Sequence, residues 1–406
     1  GSLSIQDSLW LATHTCANMA YRALHNQGYD GDNIRYLSPE SFIDVTGDGV
    51  NDRYAEATLG ELSSAVTDWA AGEGTTELLF YLTDHGFDGH FRLNETEILS
   101  ASTLDGWLDT LQTGRDIRVI VILDACLSGS FVSALTAPTG AERYVVASTQ
   151  ADRRAWFADE GETSFSSFFW QSVYLNGRLY RAFLSGVENI IPLLQYPLID
   201  IDGDGEPESI TDELLANDII IGLGKVAAPD PLEIHSDCGD LRAGCDNAAT
   251  LWVKDLEYTI GIDNVWARVL PPTEETPDPT APHLDLAIVR LSDRDGDGRY
   301  EGVYTDFRQN GYYKVLLYLD DKTGRRSPPR EIKVFRNCGT YVPGDLDGDE
   351  AVTLTDVLLA LQAVSGQAPL MLPVDYPSAG VDVNENDHVD MAEAIFAFQK
   401  VAGLRD

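Results

Sequence analysis

The sequence predicts an α/β domain with a mostly parallel sheet and helices on both faces, then a β-sandwich, then a small pair of helices. Three observations carry this. Short unbroken apolar runs alternate with amphipathic helical stretches over residues 1–225. Strand-like segments separated by Pro- and Asp-rich turns fill 226–340, and two similar loop–helix halves make up 341–406. Unbroken apolar runs mark strands covered on both faces, and a repeated loop–helix unit marks a duplicated module.

Taken in order, Leu9 to Gly28 has helical spacing (Leu11, Cys16, Met19, Ala20, Ala23, Leu24) and stops at Gly28. Leu59 to Ala71 reads as a second amphipathic helix. Leu78–Leu82, Val119–Leu123 and Tyr144–Ala147 are the three buried strands, and helices fit at Leu104–Leu111, Ser164–Leu175 and Glu213–Gly222. Beyond about 230, the segments Leu251–Leu256, Val265–Leu270, Leu284–Leu291, Tyr312–Leu319 and Ile332–Phe335 read as sandwich strands. In the last segment, acidic loops Asp345–Asp356 and Asp382–Glu393 each precede an amphipathic helix.

Sixty-six acidic residues against 28 basic ones give a net charge of −38. Such a field repels nucleic acid and anionic lipid, so neither is an expected partner. No apolar run approaches the roughly 18 residues of a membrane helix, so no membrane insertion is expected. Five cysteines leave at least one free thiol if any pair. Cys238 and Cys245 bracket a short loop and suit a bridge, with Cys338 as an alternative partner for either.

Two strands end in reactive residues. Leu78–Leu82 runs into Thr83-Asp84-His85-Gly86, and Val119–Leu123 runs into Asp124-Ala125-Cys126-Leu127-Ser128-Gly129-Ser130. The carboxyl ends of parallel strands form the site edge of an open sheet, so neighbouring strands deliver His85 and Cys126 to one edge. A thiol needs a base to become a thiolate near neutral pH, and imidazole is the usual one. The amides of Gly86 and Cys126 suit an oxyanion. A lone cysteine is more often a small buried hydrophobe, but the paired strand-end signals favour the catalytic reading. Cys16 reads as core, and the other histidines as surface or packing residues.

Strand–His-Gly followed by strand–Asp-Ala-Cys-x-Ser-Gly resembles the caspase/legumain clan of cysteine peptidases, closest to the legumain branch (C13). The likeness covers about residues 9–225. It implies a caspase-like α/β fold and peptide-bond hydrolysis through an acyl-enzyme, with Cys126 as nucleophile, His85 as general base and Gly86 as oxyanion donor. It also implies that Asp124 faces the specificity pocket, with Ser148 and Asp152 on another wall. An acidic pocket there would suit Arg or Lys as the residue before the cleaved bond. The substrate is then a protein or peptide.

Calcium takes six to eight oxygens, and carboxylates at alternating positions of a short loop converge on one ion. Asp345, Asp347, Asp349, Thr353 and Asp356 fit positions 1, 3, 5, 9 and 12 of such a loop, with the Ala351 carbonyl at position 7. Asp382, Asn384, Asn386, His388 (by its carbonyl), Asp390 and Glu393 repeat the pattern. The paired units resemble a dockerin module, which implies two bound Ca2+ ions and a cohesin-like or intramolecular partner. Asp200, Asp202 and Asp204 start a similar loop that Asp212 or Glu213 can close, and Asp293, Asp295 and Asp297 start another. Asp44-x-Thr46-Gly47-Asp48 is the weakest version and reads as an Asp/Gly turn. Millimolar extracellular calcium fills such loops, so a secreted or cell-surface protein is expected. The reading is therefore a secreted, calcium-loaded cysteine endopeptidase. Its rival is an inactive, calcium-stabilised extracellular structural or binding protein.

Overall fold

The structure, a computed structural model, describes residues 7–207, 212, 215–226, 232–256, 258, 261–272, 287–322, 326–336, 343–347, 351–367, 382–384 and 388–405. The chain divides into two compact units, one built on Gly1–Pro229 and the other on Asp230–Glu275 with Leu286–Asp406.

The first unit opens with α1 (Trp10–Asn26), the short strands β1 (Tyr36–Leu37) and β2 (Arg53–Ala55), and α2 (Leu59–Ser64). The helix expected to reach Ala71 widens in its second half: Ala65–Trp69 is a π-type turn, with the Ala70 amide reaching back to the Ala65 carbonyl. Strand β3 (Glu77–Thr83) leads into a three-stranded antiparallel sheet of β4 (Gly86–Phe87), β5 (His90–Arg92) and β6 (Ile98–Ser100). Helix α3 (Ala101–Gln112), β7 (Arg118–Asp124) and β8 (Arg143–Ala147) follow, then the hairpin β9 (Phe157–Ala158) and β10 (Thr163–Ser164), α4 (Phe165–Asn176), α5 (Leu179–Ile190) and β11 (Leu198–Asp200). The main sheet has the order β11-β8-β7-β3, with β3, β7 and β8 parallel and β11 antiparallel to β8.

Alternate residues of the strands face opposite layers, as the pleat requires. Leu78, Phe80, Val119, Val121, Leu123 and Val145 pack with Leu62 and Val66 near α2 and with Leu104, Leu108 and Leu111 of α3. Ile120, Ile122 and Val146 pack with Ala20 and Ala23 of α1, Phe165, Phe169 and Trp170 of α4, and Phe183 of α5. Burying one such aliphatic side chain contributes about 1.5–3 kcal/mol, so both layers hold the sheet. Among the described residues no strand pairs with the outer edge of β3. That edge opens on a cavity of about 820 Å³ lined by β3 and by Tyr36, Leu37, Val66 and Trp69.

Helix α5 has no counterpart in the sequence expectations. The helix expected over 213–222 is helical only at Leu215 and Ala216 among its described residues, with Asp212 helical just before it, and Ile220 then bridges Arg178. Glu213 lies outside the described residues.

In the second unit, β12 (Ser236–Asp237), β14 (Ala249–Lys254) and β17 (Arg299–Tyr304) form one sheet. The other has the order β13-β19-β18-β15-β16, from β13 (Leu241–Ala243), β15 (Ile262–Leu270), β16 (Ala287–Leu291), β18 (Gly311–Asp321) and β19 (Arg330–Arg336). Leu251 and Val253 of the first sheet share a core with Val265, Ala267, Val315, Leu317 and Val334 of the second. Two sheets over one core are the expected sandwich. Strand β17 went unrecognised in the sequence because its Tyr and Glu content hides the alternation.

Of the pairings the sequence left open, Cys238–Cys245 is not formed. Cys245 is disulfide-bonded, whereas Cys16, Cys126 and Cys238 are free thiols, and Cys338 lies outside the described residues. Cys238 sits in the ladder next to β12, where its amide donates to the Trp252 carbonyl. The same unit ends in α6 (Leu354–Val364) and α7 (Met391–Val401), each started by a capping box: Thr353 with Asp356, and Asp390 with Glu393.

Candidate active site

The parallel register pairs Thr83 of β3 with Asp124 of β7. His85 and Cys126 each stand two residues past that pair, so equal counts from the strand ends bring both to one rim of the sheet. Gly86 makes the join. A methyl group on its α-carbon would lie 2.1 Å from the Cys126 carbonyl oxygen and 2.9 Å from Ala125 Cβ. Only glycine allows the His-Gly segment to approach the Cys126 turn this closely.

The residues after Cys126 build its turn. Leu127 takes a left-handed conformation (φ 59°), which a branched side chain adopts at a cost, and its amide is held by the Arg153 carbonyl. Ser128 Oγ accepts from the Thr149 amide. At Gly129 a side chain would strike Ala151 N at 2.7 Å and Thr149 O at 2.8 Å. Ser130 Oγ donates to the Leu127 carbonyl and accepts from the Gly89 amide, tying the turn to the β4–β5 connection. The Ser-Gly-Ser that follows Cys126 is thus a set of anchors for its loop.

The thiol is covered. Cys126 is 1% exposed and lies in an apolar cluster with Leu9, Ala12, Cys16, Ala155 and Phe157. Its Sγ accepts from the Ala155 amide at 3.4 Å. Burial pushes the thiol up to about 11; the Ala155 amide and the charge of Arg154 pull the other way. In this closed arrangement the sulfur is protonated at neutral pH.

His85 is held from several sides. Its Nε2 lies 3.3 Å from Asp7 Oδ1, its amide donates to Asp84 Oδ1 at 2.7 Å, and its carbonyl accepts from the Arg92 amide at 3.1 Å. Asp7 Oδ1 also accepts from the Leu9 amide, and Arg92 reaches Asp7 Oδ2 at 2.6 Å. Burial opposes ionisation of Asp7, but the Leu9 amide, Arg92 and His85 outweigh it and hold the carboxyl below its usual range. Nε2 is thus turned to Asp7, and Nδ1 takes no part in this contact. Neither Asp7 nor Arg92 was found from the sequence. The only signal was an acid just before the first helix.

The expected specificity residues are not gathered into an open pocket. Asp124 is fully buried, and its Oδ2 accepts from the Ser166 amide in the first turn of α4. Burial raises it to about 6, while the Ser166 and Ser148 hydroxyls nearby favour the ionised form without a well-formed bond to Oδ1. Its position as the last residue of β7 turns it toward the α4 layer. Ser148 is also fully buried, its amide donating to the Leu123 carbonyl and its own carbonyl accepting from Gln195 Nε2. Of the three, only Asp152 is at the surface, 3.9 Å from Arg153.

Among the described residues, three acidic groups bring carboxylate oxygens within 4.8 Å of one another: Asp200, Asp202 and Asp204; Asp293, Asp295 and Asp297; and Asp345, Asp347 and Asp356. Asp345 and Asp356 are fully buried. Asp356 Oδ1 accepts from the Leu346 and Asp347 amides, as Asp212 Oδ1 does from Ile201 and Asp202 and as Glu393 Oε1 does from Val383. Thr353 and Asp390, expected as ligands, cap α6 and α7 with their side chains. Ala351, Asp382, Asn384 and His388 are described; Asp349 and Asn386 lie outside the described residues. Burial raises Asp200 to about 6, with the Gly203 and Gly205 amides opposing and Asp212 adding to the rise. Hard oxygen donors crowded in this way fit a Ca2+ ion. Asp44 gathers the Gly47, Asp48 and Gly49 amides in an exposed turn, as expected.

The Peptidase C13 family model matches residues 39–176, a stretch that holds His85, Gly86, Asp124 and Cys126 but not Asp7. No curated protein matches the chain in sequence. A solved structure of astrotactin-2, a conserved vertebrate-specific and perforin-like membrane protein involved in neuronal development, is similar over 39% of this chain at 13% identity with a TM-score of 0.20. The likeness spans about a third (34%) of that chain, and at this TM-score it carries no argument. No described helix is long and apolar enough to cross a membrane.

Proposed function

We propose that this chain is a secreted cysteine endopeptidase of the legumain type. The observation that carries the reading is the β3–β7 register, which sets His85 and Cys126 at one rim with Gly86 against the Cys126 carbonyl. The C13 match over 39–176 supports it.

In the reaction, a substrate strand displaces the Gln150–Trp156 segment from the thiol. His85 Nδ1 takes the Cys126 proton, and the thiolate adds to the substrate carbonyl carbon. The Gly86 amide faces the resulting oxyanion. The imidazolium then protonates the leaving amine as the C–N bond breaks, and water hydrolyses the thioester with His85 as base. Asp7 holds Nε2 and steadies the positive ring, as a third group does in related dyads.

Bound Ca2+ would be held by Asp200, Asp202, Asp204 and Asp212, by Asp293, Asp295 and Asp297, and in a dockerin-like module by Asp345, Asp347 and Asp356 and by Asp382, Asn384 and Glu393. It would supply charge neutralisation that braces these loops. Calcium of this kind accords with export. Helices α6 and α7 leave Leu354, Leu358, Leu361, Met391, Ile395 and Phe398 exposed, which supports a cohesin-like protein partner.

A thiol-directed acyloxymethyl ketone probe, used with a panel of Arg-, Lys-, Asn- and Asp-containing peptides, tests the reading. Labelling of wild type and not of Cys126→Ala, with cleavage of at least one peptide, supports it. Absence of both would leave the inactive calcium-stabilised protein, which the 1% exposure of Cys126 favours.

A further inference from the structure

We propose that Arg92 is a positioning residue for the His85 imidazole, acting through Asp7. The inference rests on the peptidase reading for its kinetic consequence, while its structural content is independent of turnover.

Arg92, at the end of β5, is the common member of every hold on His85. Its guanidinium Nη2 lies 2.6 Å from Asp7 Oδ2 and 3.4 Å from Asp84 Oδ1. Asp7 presents its other oxygen to His85 Nε2, and Asp84 Oδ1 accepts from the His85 amide. The Arg92 amide closes the ring by donating to the His85 carbonyl. Side chain and backbone of one residue therefore fix both the ring and the peptide of the base.

The charges explain why an arginine stands there. Asp84 is fully buried and the Asp7 side chain is 8% exposed, so two carboxylates converge on one guanidinium with little water. A cation between them offsets their repulsion. A guanidinium stays charged at every working pH and presents several donors in one plane, so a single group serves both acids. Without it, Asp7 keeps only the Leu9 amide and the ring itself as partners in this cluster. The carboxylate is then free to turn toward water, and the imidazole loses the contact that sets its tautomer and angle.

The test compares wild type, Arg92→Gln, Arg92→Lys, Asp7→Asn and the Asp7→Asn/Arg92→Gln double variant. Two readouts are taken: peptide-cleavage kinetics, and the downfield imidazole N–H proton signal assigned to His85 by NMR. Arg92→Gln is expected to lower kcat about tenfold to a hundredfold with little change in KM, as misorienting a catalytic group does. Arg92→Lys, which keeps the charge, should recover part of the loss. The double variant should fall no further than Asp7→Asn, because both changes break one chain of contacts. The Nε2–H signal of wild type should vanish in Arg92→Gln.

Wild-type kcat in Arg92→Gln, additive losses in the double variant, or an unchanged imidazole signal would each overturn the proposal. So would a rise in activity for Asp7→Asn, which would make Asp7 a block on the base. If Arg92→Gln does not fold, Arg92→Lys and Asp7→Asn carry the same comparison. If wild type neither cleaves nor takes the probe, the peptidase reading fails, while the NMR signal still decides the role of Arg92.

Discussion

Gly86 and Cys126 touch through backbone: the glycine α-carbon faces the cysteine carbonyl, with room for hydrogen only. A methyl group there would lie 2.1 Å from the oxygen, a backbone atom that does not swing aside. Gly86→Ala is therefore expected to push the histidine and cysteine segments apart. The expected cost is about 1–3 kcal/mol of stability, with loss of measurable peptide cleavage. A variant with wild-type kcat and melting temperature would show that the two segments do not depend on this contact.

Asp124 supplies a pH signature. Its folded-state pKa, about 6, lies above the usual carboxylate value near 3.9 because burial disfavours the charge. The folded protein therefore holds this proton more tightly than the unfolded chain. The resulting penalty is full above pH 6 and disappears as the pH falls toward 4. Asparagine does not titrate and can still accept from the Ser166 amide. Between pH 4 and pH 7.5, Asp124→Asn should gain about 2–3 kcal/mol relative to wild type in urea unfolding. A difference that does not change with pH would remove the buried charge from the account.

Calcium should stabilise the chain, since it binds the folded loops and not the unfolded ones. At a hundredfold excess over Kd the gain is about 2.7 kcal/mol for one site, seen as a rise in Tm that chelator reverses. Asp356→Asn and Asp200→Asn should each remove part of the rise. Calorimetry showing the same Tm in calcium and in chelator would rule out these loops as calcium sites.

Arg143 is a fully buried cation that joins α3 to β8. It contacts Asp105 at 2.6 Å, Asp109 at 2.7 Å and Gln112 Oε1 at 2.9 Å. Arg143→Ala leaves the buried Gln112 Oε1 without this donor, while the part-exposed Asp105 and Asp109 turn to water, and is expected to cost about 1–3 kcal/mol in denaturant titration. It lies away from the rim that carries His85 and Cys126, so under the proposed function kcat measured well below the melting temperature should hold.

Alkylation under native and then reducing conditions checks the cysteine assignment. Half-buried Cys238 should be modified slowly without reductant, and Cys245 only after reduction. Modification of Cys245 in the unreduced protein would contradict the disulfide.

The sequence already contained the sheet and the rim. Unbroken apolar runs marked β3 and β7, and equal spacing from each run to His85 and to Cys126 required the two to meet wherever the strands paired in parallel. The acidic loops were equally plain, because their alternating carboxylates are a local pattern. Helix α5 was missed although its apolar positions follow helical spacing, since no capping residue marks its start.

What lies between distant segments was decided by tertiary structure. Asp7 stands 78 residues from His85 and 85 from Arg92, and no local pattern links an acid before a helix to an imidazole after a strand. The burial of Asp124 and the cover over Cys126 likewise depend on which layer packs against a strand end. Composition and periodicity determine which segments are strands and helices, because those forces act over a few residues. The partners of a buried charge are fixed only when the whole chain has closed around it, because desolvation belongs to the assembled core.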